Sequence, residues 1–208
     1  MNDGQKGLLI VVSGPAGSGK GTVNAKLLSS PEYAFSVSAT TRAPRPGEVN
    51  GKNYWYITRE AFEERIRKGE MLEYTEYCGN YYGTPKKEAE EELAKGKNLI
   101  LEIEVEGAMN VKRICPEAVL IMLLPPSYRE QEARLRGRGT ESEEKIRERL
   151  KRTREELEFL PKYDYVVYNR DGGAEECAEE IRGIVRAERS ATRRNGNAKE
   201  AYFAIRDR

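Results

Sequence analysis

Short apolar runs alternate with charge-rich stretches along most of the chain, and this alternation predicts strands separated by helices. Four runs have the length and apolar character of strands in a buried parallel sheet. They are LLIVVS from Leu8, LILEIEVE from Leu99, AVLIMLL from Ala118 and YDYVVYN from Tyr163. The pattern predicts an α/β fold, in which a central parallel sheet carries helices on both faces.

Two segments interrupt this rhythm. Residues 35–84 contain short alternating stretches rich in Ser, Thr, Tyr, Gly and Pro, which predict a small, mostly β insertion. Residues 126–162 are highly charged and predict a lightly anchored helix, as a moving flap would be, because their apolar stripe is thin. The stripe consists of Ile146, Leu150, Leu157 and Leu160. The other segments are a core of residues 1–34, 85–125 and 163–190, and a basic tail of residues 191–208 that we expect to be loosely held.

Charge and cysteine content restrict the classes of partner. Among the 208 residues, 36 Lys and Arg balance 35 Asp and Glu, so any anion site has to be built locally. The three cysteines lack metal-ligand spacing and the chain has no histidine, which argues against a soft-metal site. No apolar stretch is long enough for a signal peptide or a membrane span. We therefore expect a cytoplasmic protein with three reduced thiols, Cys78, Cys115 and Cys177.

A glycine-rich loop that ends in a lysine follows the first predicted strand. The stretch VVSGPAGSGKGT places Gly14, Gly19 and Lys20 at the spacing of a phosphate-binding loop, between a strand and a helix. Glycines let backbone N–H groups point at an anion, the helix N-terminus adds positive charge, and the lysine reaches the outer phosphates. An ordinary strand-to-helix turn would not need this lysine. We predict a nucleoside triphosphate site at Gly14, Pro15, Ala16, Gly17, Ser18, Gly19, Lys20, Gly21 and Thr22.

The end of the loop departs from the general pattern. Gly21 follows the lysine, and the hydroxyl comes one place later, at Thr22. The GKGT ending resembles the loop of nucleoside monophosphate kinases, and the Asn-Lys-x-Asp run of GTPases is absent. Thr22 is a candidate Mg²⁺ ligand, either directly or through a water molecule.

Several further stretches resemble one family. They are FSVSATTRAPRPGEVNGKNYWYI (35–57), EMLEYTEYCGNYYGTP (70–85), LEIEVEGA from Leu101 and RLRGRGTESEEKIRERL from Arg134. With the loop they cover residues 8 to about 171 in order, and the chain is similar to the bacterial guanylate kinase family. The resemblance implies a P-loop nucleoside monophosphate kinase fold, with a GMP-binding insertion and a lid. It also implies the Mg²⁺-dependent reaction ATP + GMP ⇌ ADP + GDP, with dGMP as a second acceptor.

Arginines and tyrosines of the insertion have the chemistry of a phosphate clamp. Arg42 and Arg45 share a proline-containing loop, and two planar guanidinium groups can hold a phosphate dianion bidentately. Tyr54 and Tyr82 offer phenolic donors that would complete the clamp. Any one of the four alone would be interpreted as a surface or core residue. All four, however, match phosphate ligands of the family.

A carboxylate suits guanine because it accepts hydrogen bonds from both the N1–H and the exocyclic amine of the base. The resemblance implies this role for Glu73, with Ser38 and Thr84 as hydroxyl partners. The alternative is that Glu73 points outward from an alternating strand, as we expect for Glu76.

Three further glutamates occupy alternate positions of the run that begins at Leu99. We expect Glu102, Glu104 and Glu106 to lie on one side of the predicted strand. The resemblance implies that Glu104 lies near GMP and Glu102 near the metal and the phosphates. The role of Glu106 stays open.

Phosphoryl transfer to a monophosphate needs alignment and charge neutralisation rather than a side-chain base, since the acceptor is ionised above a pKa of about 6. The resemblance implies four catalytic residues, Lys20, Arg134, Arg138 and Arg149. Other arginines nearby are interpreted as a solvated helix face in pairs with Glu, among them Arg136, Arg147, Arg152 and Arg154. Asn169 matches a family residue near the adenine, and the alternative is an ordinary turn asparagine. We expect insertion and lid to close on both nucleotides.

The sequence leaves two other functions open. A guanylate-kinase-like binding module keeps this fold but recognises protein ligands, and such modules have typically lost the phosphate loop that is intact here. A kinase of the same architecture would act on AMP or a pyrimidine monophosphate, against which Glu73, Ser38 and Thr84 argue. The expected partners are ATP and GMP or dGMP, without nucleic acid or membrane, in a monomer or a homo-oligomer.

Overall fold

Five parallel strands form the central sheet of the computed structural model, which describes residues 6–77, 79–139 and 141–204. The strands of the described residues are β1 (Leu9–Ser13), β2 (Tyr33–Phe35), β3 (Ala39–Thr40), β4 (Trp55–Tyr56), β5 (Met71–Tyr77), β6 (Asn80–Pro85), β7 (Asn98–Glu102), β8 (Val119–Leu124) and β9 (Tyr165–Tyr168). The order across the central sheet is β2-β7-β1-β8-β9. Four of its strands follow the predicted apolar runs. The fifth, β2, has three residues and is too short for a periodic pattern to reveal.

The helices of the described residues are α1 (Lys20–Leu27), α2 (Arg59–Arg67), α3 (Lys86–Ala94), α4 (Val105–Ile114), α5 (Tyr128–Gly137), α6 (Glu143–Leu157), α7 (Ala174–Ser190) and α8 (Ala198–Ala204), with short 3-10 turns at Leu160–Lys162 and Thr192–Arg194. Four of them, α1, α3, α4 and α7, cover the two faces of the central sheet. Ile10 and Ile121 point to the face that carries α1 and α7, whereas Val11 and Leu120 point to the face that carries α3 and α4. The predicted α/β class is confirmed.

The segment between β2 and α3 folds into a second, four-stranded sheet of order β4-β3-β6-β5. Strands β5 and β6 form an antiparallel hairpin, as the alternating pattern predicted. Helix α2 lies within the same segment and was not predicted. It begins after Thr58, whose side chain accepts a hydrogen bond from the Ala61 backbone, and its buried Phe62 stacks on Tyr81 with 5.1 Å between ring centroids.

The expected row of three glutamates on one strand is wrong. Strand β7 ends at Glu102, Glu104 is the residue before α4, and Glu106 is an exposed residue in the first turn of that helix. Apolar residues at 103 and 105 continue the alternation of the strand into the start of the helix, so periodicity alone misplaced the boundary. Carboxylates at this position are favoured by the partial positive charge of the helix N-terminus.

The apolar stripe of the charged segment is divided between two small clusters. Ile146 and Leu150 pack with Leu135, next to Ala16 of the glycine loop. Leu157 and Leu160 pack instead at the carboxyl end of the central sheet. Helix α6 therefore rests on the glycine loop at its beginning and on the sheet at its end.

The start of the C-terminal tail is held more firmly than we expected. Glu188, which is 3 % exposed, accepts hydrogen bonds from Tyr165 (2.6 Å), Arg193 and Arg194. Arg194 also donates to the backbone oxygen of Glu117 at 2.6 Å. These contacts fix the turn at residues 192–194, whereas the side chains of α8 are exposed. Residues 205–208 lie outside the described residues.

Two further expectations concern cysteines and membranes. Cys115 and Cys177 are free thiols, and Cys78 lies outside the described residues. Across residues 6–77, 79–139 and 141–204, the helices are too short or too polar to cross a bilayer.

Candidate active site

The glycine loop connects β1 to α1 at the carboxyl edge of the central sheet, where ligands of doubly wound folds bind. Two of its glycines are required sterically. A Cβ on Gly14 would lie 2.1 Å from the backbone oxygen of Leu123, and one on Gly19, where φ is +88°, would lie 2.2 Å from Nδ2 of Asn169. Only glycine adopts this path without displacing its neighbours.

Two buried amides support the loop from outside. Asn169 Nδ2 donates to the backbone oxygen of Ser18 at 2.8 Å, and Gln131 Nε2 donates to that of Ala16 at 2.9 Å. Gln131 also donates to Thr153 of α6 at 2.7 Å, which joins the loop to both helices of the charged segment. Asn169 therefore contacts the loop itself, while its predicted place beside an adenine stays a prediction.

A cavity of about 220 Å³ lies between the loop, the end of β7 and the second sheet. Lys20 lines it, and its Nζ donates back to the loop oxygens of Gly14 and Pro15. Nine residues predicted from the sequence line this one cavity, namely Lys20, Ser38, Arg42, Arg45, Tyr54, Glu73, Tyr82, Glu102 and Glu104.

One end of the cavity carries the two arginines and the tyrosines. Arg42 donates from Nη1 and Nη2 to both carboxylate oxygens of Glu48, at 3.0 Å each. Glu48 also accepts from the Arg45 backbone N–H and from the Tyr56 hydroxyl, at 2.7 Å each. Hydrogen bonds from Arg42, then Arg45, then Tyr56 lower the pKa of Glu48 to about 2. This carboxylate thus stays ionised and holds the arginine loop.

The other end of the cavity carries a buried carboxylate. Glu73 is 3 % exposed, and its Oε1 accepts from the Thr84 hydroxyl at 2.8 Å. Burial raises the pKa of Glu73 to about 7. A Cβ on Gly107 would lie 3.1 Å from Oε2 of Glu73, so this glycine leaves room for the carboxylate. Glu73 therefore has one oxygen held by Thr84 on the wall of an otherwise accessible cavity.

Strand alternation places Glu73 inward, because Glu73, Thr75 and Tyr77 share the face of β5 that lines the cavity. The register of β5 against β6 shifts between Met71 and Glu73, and both Leu72 and Glu73 are buried. The alternative of an outward Glu73 is thereby excluded. Glu76, beyond the shift, is exposed and pairs with Arg59 at 2.9 Å, as expected.

A family model described as "Guanylate kinase" matches residues 6–188. The chain belongs to the guanylate kinase family. A guanylate kinase of Streptococcus thermophilus is 52 % identical over 186 residues, with 88 % of each chain covered. One of Clostridioides difficile is 48 % identical over 194 residues, covering 93 % of this chain and 94 % of the relative. The crystal structure of guanylate kinase from Anaplasma phagocytophilum superposes with a TM-score of 0.74 at 37 % identity, covering 91 % of this chain and 90 % of that one.

A second cavity, of about 590 Å³, lies on the other side of the glycine loop. Thr22, Arg134, Arg138 and Asn169 line it. Arg134 donates to the backbone oxygen of Asn169 at 2.9 Å and to Asp171 at 2.7 Å, so it is already oriented along the loop. The cavity thus contains two of the three family arginines predicted in the lid.

The third arginine lies outside both cavities. Arg149 is ion-paired with Glu141 at 2.5 Å, within the charged segment itself. Its predicted catalytic role therefore stays a prediction. Arg152 was interpreted as part of a solvated helix face in pairs with Glu, and it does pair with Glu156 one turn along α6, but it also reaches out of the helix. It is half-buried and contacts both Glu104 and Glu156.

The donors present suit a magnesium ion carried by phosphates. Among the described residues, no group of three His, Cys, Asp or Glu could hold a metal ion. Mg²⁺ in kinases needs only one or two protein oxygens besides substrate phosphates. Glu102 lines the Lys20 cavity and is held by Asn24, whose Nδ2 donates to Oε2 at 2.7 Å. Thr22 lies on the opposite cavity, and its role as a ligand stays a prediction.

Three residues that organise this site were not predicted from the sequence. Glu48, Asn24 and Gln131 hold predicted site residues in place rather than lining the binding surface themselves. Glu48 had a local signal, since an acid six residues after an arginine in a Pro-Gly loop is well placed to fold back. Asn24 and Gln131 had none, because their partners are 78 and 115 residues away.

Proposed function

We propose that this protein transfers the γ-phosphoryl group of ATP to GMP or dGMP, with Mg²⁺ as cofactor. One observation supports the acceptor most strongly. The buried carboxylate of Glu73 and the Arg42 guanidinium line one cavity, which also contains Lys20 of the glycine loop. A base-reading group, a phosphate clamp and the phosphate-loop lysine thus share one space.

Guanine is the base that this carboxylate fits best. With Thr84 donating to Oε1, the free lone pairs of Glu73 face the cavity and accept the N1–H and the exocyclic amine. Adenine would place a lone pair against the same charge. A buried polar group left unpaired by the wrong base supports strong discrimination. Ser38 lines the same cavity and is the proposed second hydroxyl at the base.

The clamp end suits a phosphate dianion. Arg42 keeps its guanidinium plane fixed through Glu48, and the ring of Tyr54 lies 5.5 Å below it. Tyr54 and Tyr82 meet edge to face at 6.0 Å, which directs their hydroxyls without long flexible chains. Arg45 is proposed to supply the second guanidinium group of the clamp. We assign these four side chains to the acceptor phosphate.

The donor nucleotide is assigned to the glycine loop and the second cavity. Backbone N–H groups of residues 16–22 would surround the β-phosphate, and the dipole of α1 favours its charge. Lys20, Arg134, Arg138 and Arg149 are the proposed catalytic cations, which stabilise charge on the transferred group. Asn169 and Thr22 would border the nucleoside and α-phosphate side. No residue needs to remove a proton from the ionised acceptor.

Magnesium, when bound, would neutralise the β- and γ-phosphate oxygens. We propose Glu102, and Thr22 directly or through water, as the protein groups that would hold it. Glu104 is proposed to contact the acceptor nucleotide.

We assign a separate function to each of three parts of the chain. Residues 1–34, 85–125 and 163–190 form the core, residues 35–84 bind GMP, and residues 126–162 act as the lid. We expect both smaller parts to close when both nucleotides are bound, which excludes water from the reacting phosphates.

A coupled assay for ADP formation tests the function directly. MgATP is supplied with GMP, dGMP, AMP, CMP or UMP, and with buffer alone. Turnover with GMP and dGMP only is the expected result. Turnover with AMP or a pyrimidine nucleotide would show that the acceptor is a nucleotide other than GMP or dGMP. ATP binding without any turnover would favour the protein-binding module.

A further inference from the structure

The cavity of about 220 Å³ that Lys20 lines is the proposed site of GMP and is named the acceptor cavity. Arg152 of helix α6 connects the charged segment to its wall. Its Nη2 donates to Oε2 of Glu104 at 3.2 Å, and its guanidinium carbon lies 4.4 Å from the ring centroid of Tyr77. Glu104 precedes α4 and Tyr77 ends β5, so a single side chain touches the core and the second sheet. Both partners line the acceptor cavity.

The surroundings of Arg152 fix its direction. Its Nε donates to Glu156 at 3.0 Å, one helical turn further along α6, and the side chain is 35 % exposed. The Glu156 side chain is 12 % exposed, and burial followed by the charge of Glu104 raises its pKa. Arg152 therefore lies between the carboxylates of Glu104 and Glu156. Without it, these carboxylates would repel each other and would also repel an incoming phosphate.

Neighbouring arginines on the same helix make different contacts. Arg154 lies over Tyr128 at 5.5 Å, and Arg149 pairs with Glu141, so both contact the charged segment itself. Arg147 is exposed. The position of Arg152 is thus specific to its place on the helix and is not a general property of the charged surface.

We propose that Arg152 is a positioning residue that couples acceptor binding to closure of the lid. This inference rests on the proposed function, because it assigns the Glu104 and Tyr77 wall to the acceptor nucleotide. With Arg152 in place, α6 docks on that wall and the charge of Glu104 is compensated. Without it, the charge of Glu104 is uncompensated and α6 loses the contact of Arg152 with Tyr77 of the second sheet.

Steady-state kinetics of Arg152→Gln, Arg152→Lys and the exposed control Arg147→Gln test the proposal. For Arg152→Gln, the KM for GMP is expected to rise about tenfold, while the KM for ATP changes less than about twofold. Arg152→Lys keeps the charge and is expected to recover part of the loss. A purely structural role would instead raise both KM values with a lower Tm, and would overturn the proposal. A lower KM for GMP would also overturn it, since it would mean that Arg152 obstructs the site.

Hydrogen exchange of the nucleotide-free protein separates this inference from the proposed function. Faster exchange in α6 and β5 of Arg152→Gln than of Arg147→Gln is expected whichever nucleotide the enzyme accepts. Equal exchange in the two variants would overturn the docking role. Activity of the wild-type protein on a nucleotide other than GMP would overturn the proposed acceptor while leaving this docking measurable.

Discussion

The guanidinium group of Arg42 and the carboxylate of Glu48 form a bidentate pair, with two parallel hydrogen bonds of 3.0 Å. The side chains are only 15 % and 19 % exposed, and Glu48 has further donors in the Arg45 backbone and Tyr56. Such bidentate pairs fix orientation as well as charge. Glu48 therefore determines how Arg42 is presented to the cavity, without lining the cavity itself.

Replacing Glu48 by Gln is expected to raise the KM for GMP about tenfold, because an amide cannot accept from both nitrogens of Arg42 and from the Arg45 backbone. The KM for ATP is expected to stay unchanged. Kinetics with each nucleotide varied in turn measure the effect. Glu63→Gln, which removes an exposed partner of Arg59 on α2, is the matched control. Equal kinetic constants for both variants would contradict the role of Glu48.

Glu73→Gln is expected to lower kcat/KM for GMP by about 100-fold, since the amide presents a donor to the donors of guanine and lacks the charge. The ratio of GMP to AMP turnover is expected to fall with it. The same assay with both acceptors measures selectivity, and circular dichroism checks that the fold is retained. Glu76→Gln, on the exposed side of the same strand, is expected to behave as wild type. Undiminished GMP selectivity in Glu73→Gln would remove that residue from base recognition.

The raised pKa of Glu73 predicts the direction in which the free energy of unfolding changes with pH. Its pKa is about 7 in the folded protein against 4.5 as a free side chain, so the native state binds more protons than the unfolded state between these values. The contribution of this group to stability is therefore lost as pH rises from about 4.5 to about 7, by up to about 3 kcal/mol. Urea unfolding of wild type and Glu73→Gln at pH 5, 6, 7 and 8 compares them. We expect the wild type to lose stability relative to the variant as pH rises, whereas parallel curves would contradict the pKa.

Gly19→Ala is expected to weaken ATP binding by about 100-fold or more. Its backbone has a φ of +88°, and an added Cβ would lie 2.2 Å from Nδ2 of Asn169, the amide that holds the loop. Calorimetric titration with ATP measures the loss. Gly183→Ala in the middle of α7, where the nearest atom is a flexible Arg186 nitrogen at 3.7 Å, serves as the control and is expected to bind ATP normally. Normal ATP affinity in Gly19→Ala would show that the loop relaxes around the methyl group.

Sequence reasoning succeeded where the signal was local. The apolar runs from Leu8, Ala118 and Tyr163 marked strands of the central sheet, and the glycine loop with Lys20 lay where a strand meets a helix. It misplaced the end of the strand in the run from Leu99, because apolar and polar residues keep alternating there as the strand passes into the helix. It also missed the contacts of Arg152 with Glu104 and Tyr77, because Arg152 resembles its charged neighbours in sequence and differs from them in what lies opposite.

The sequence by itself determined the α/β architecture, the phosphate loop and the set of residues that gather in the acceptor cavity, because periodicity, glycine spacing and family motifs are properties of the chain. Tertiary structure alone decided that the Glu73 carboxylate is buried and held by the Thr84 hydroxyl on the neighbouring strand. It likewise decided that Asn24 holds Glu102 and that Arg152 reaches Glu104 and Tyr77. These contacts join residues far apart in sequence. Their geometry depends on how helices and sheets pack, which no local pattern encodes.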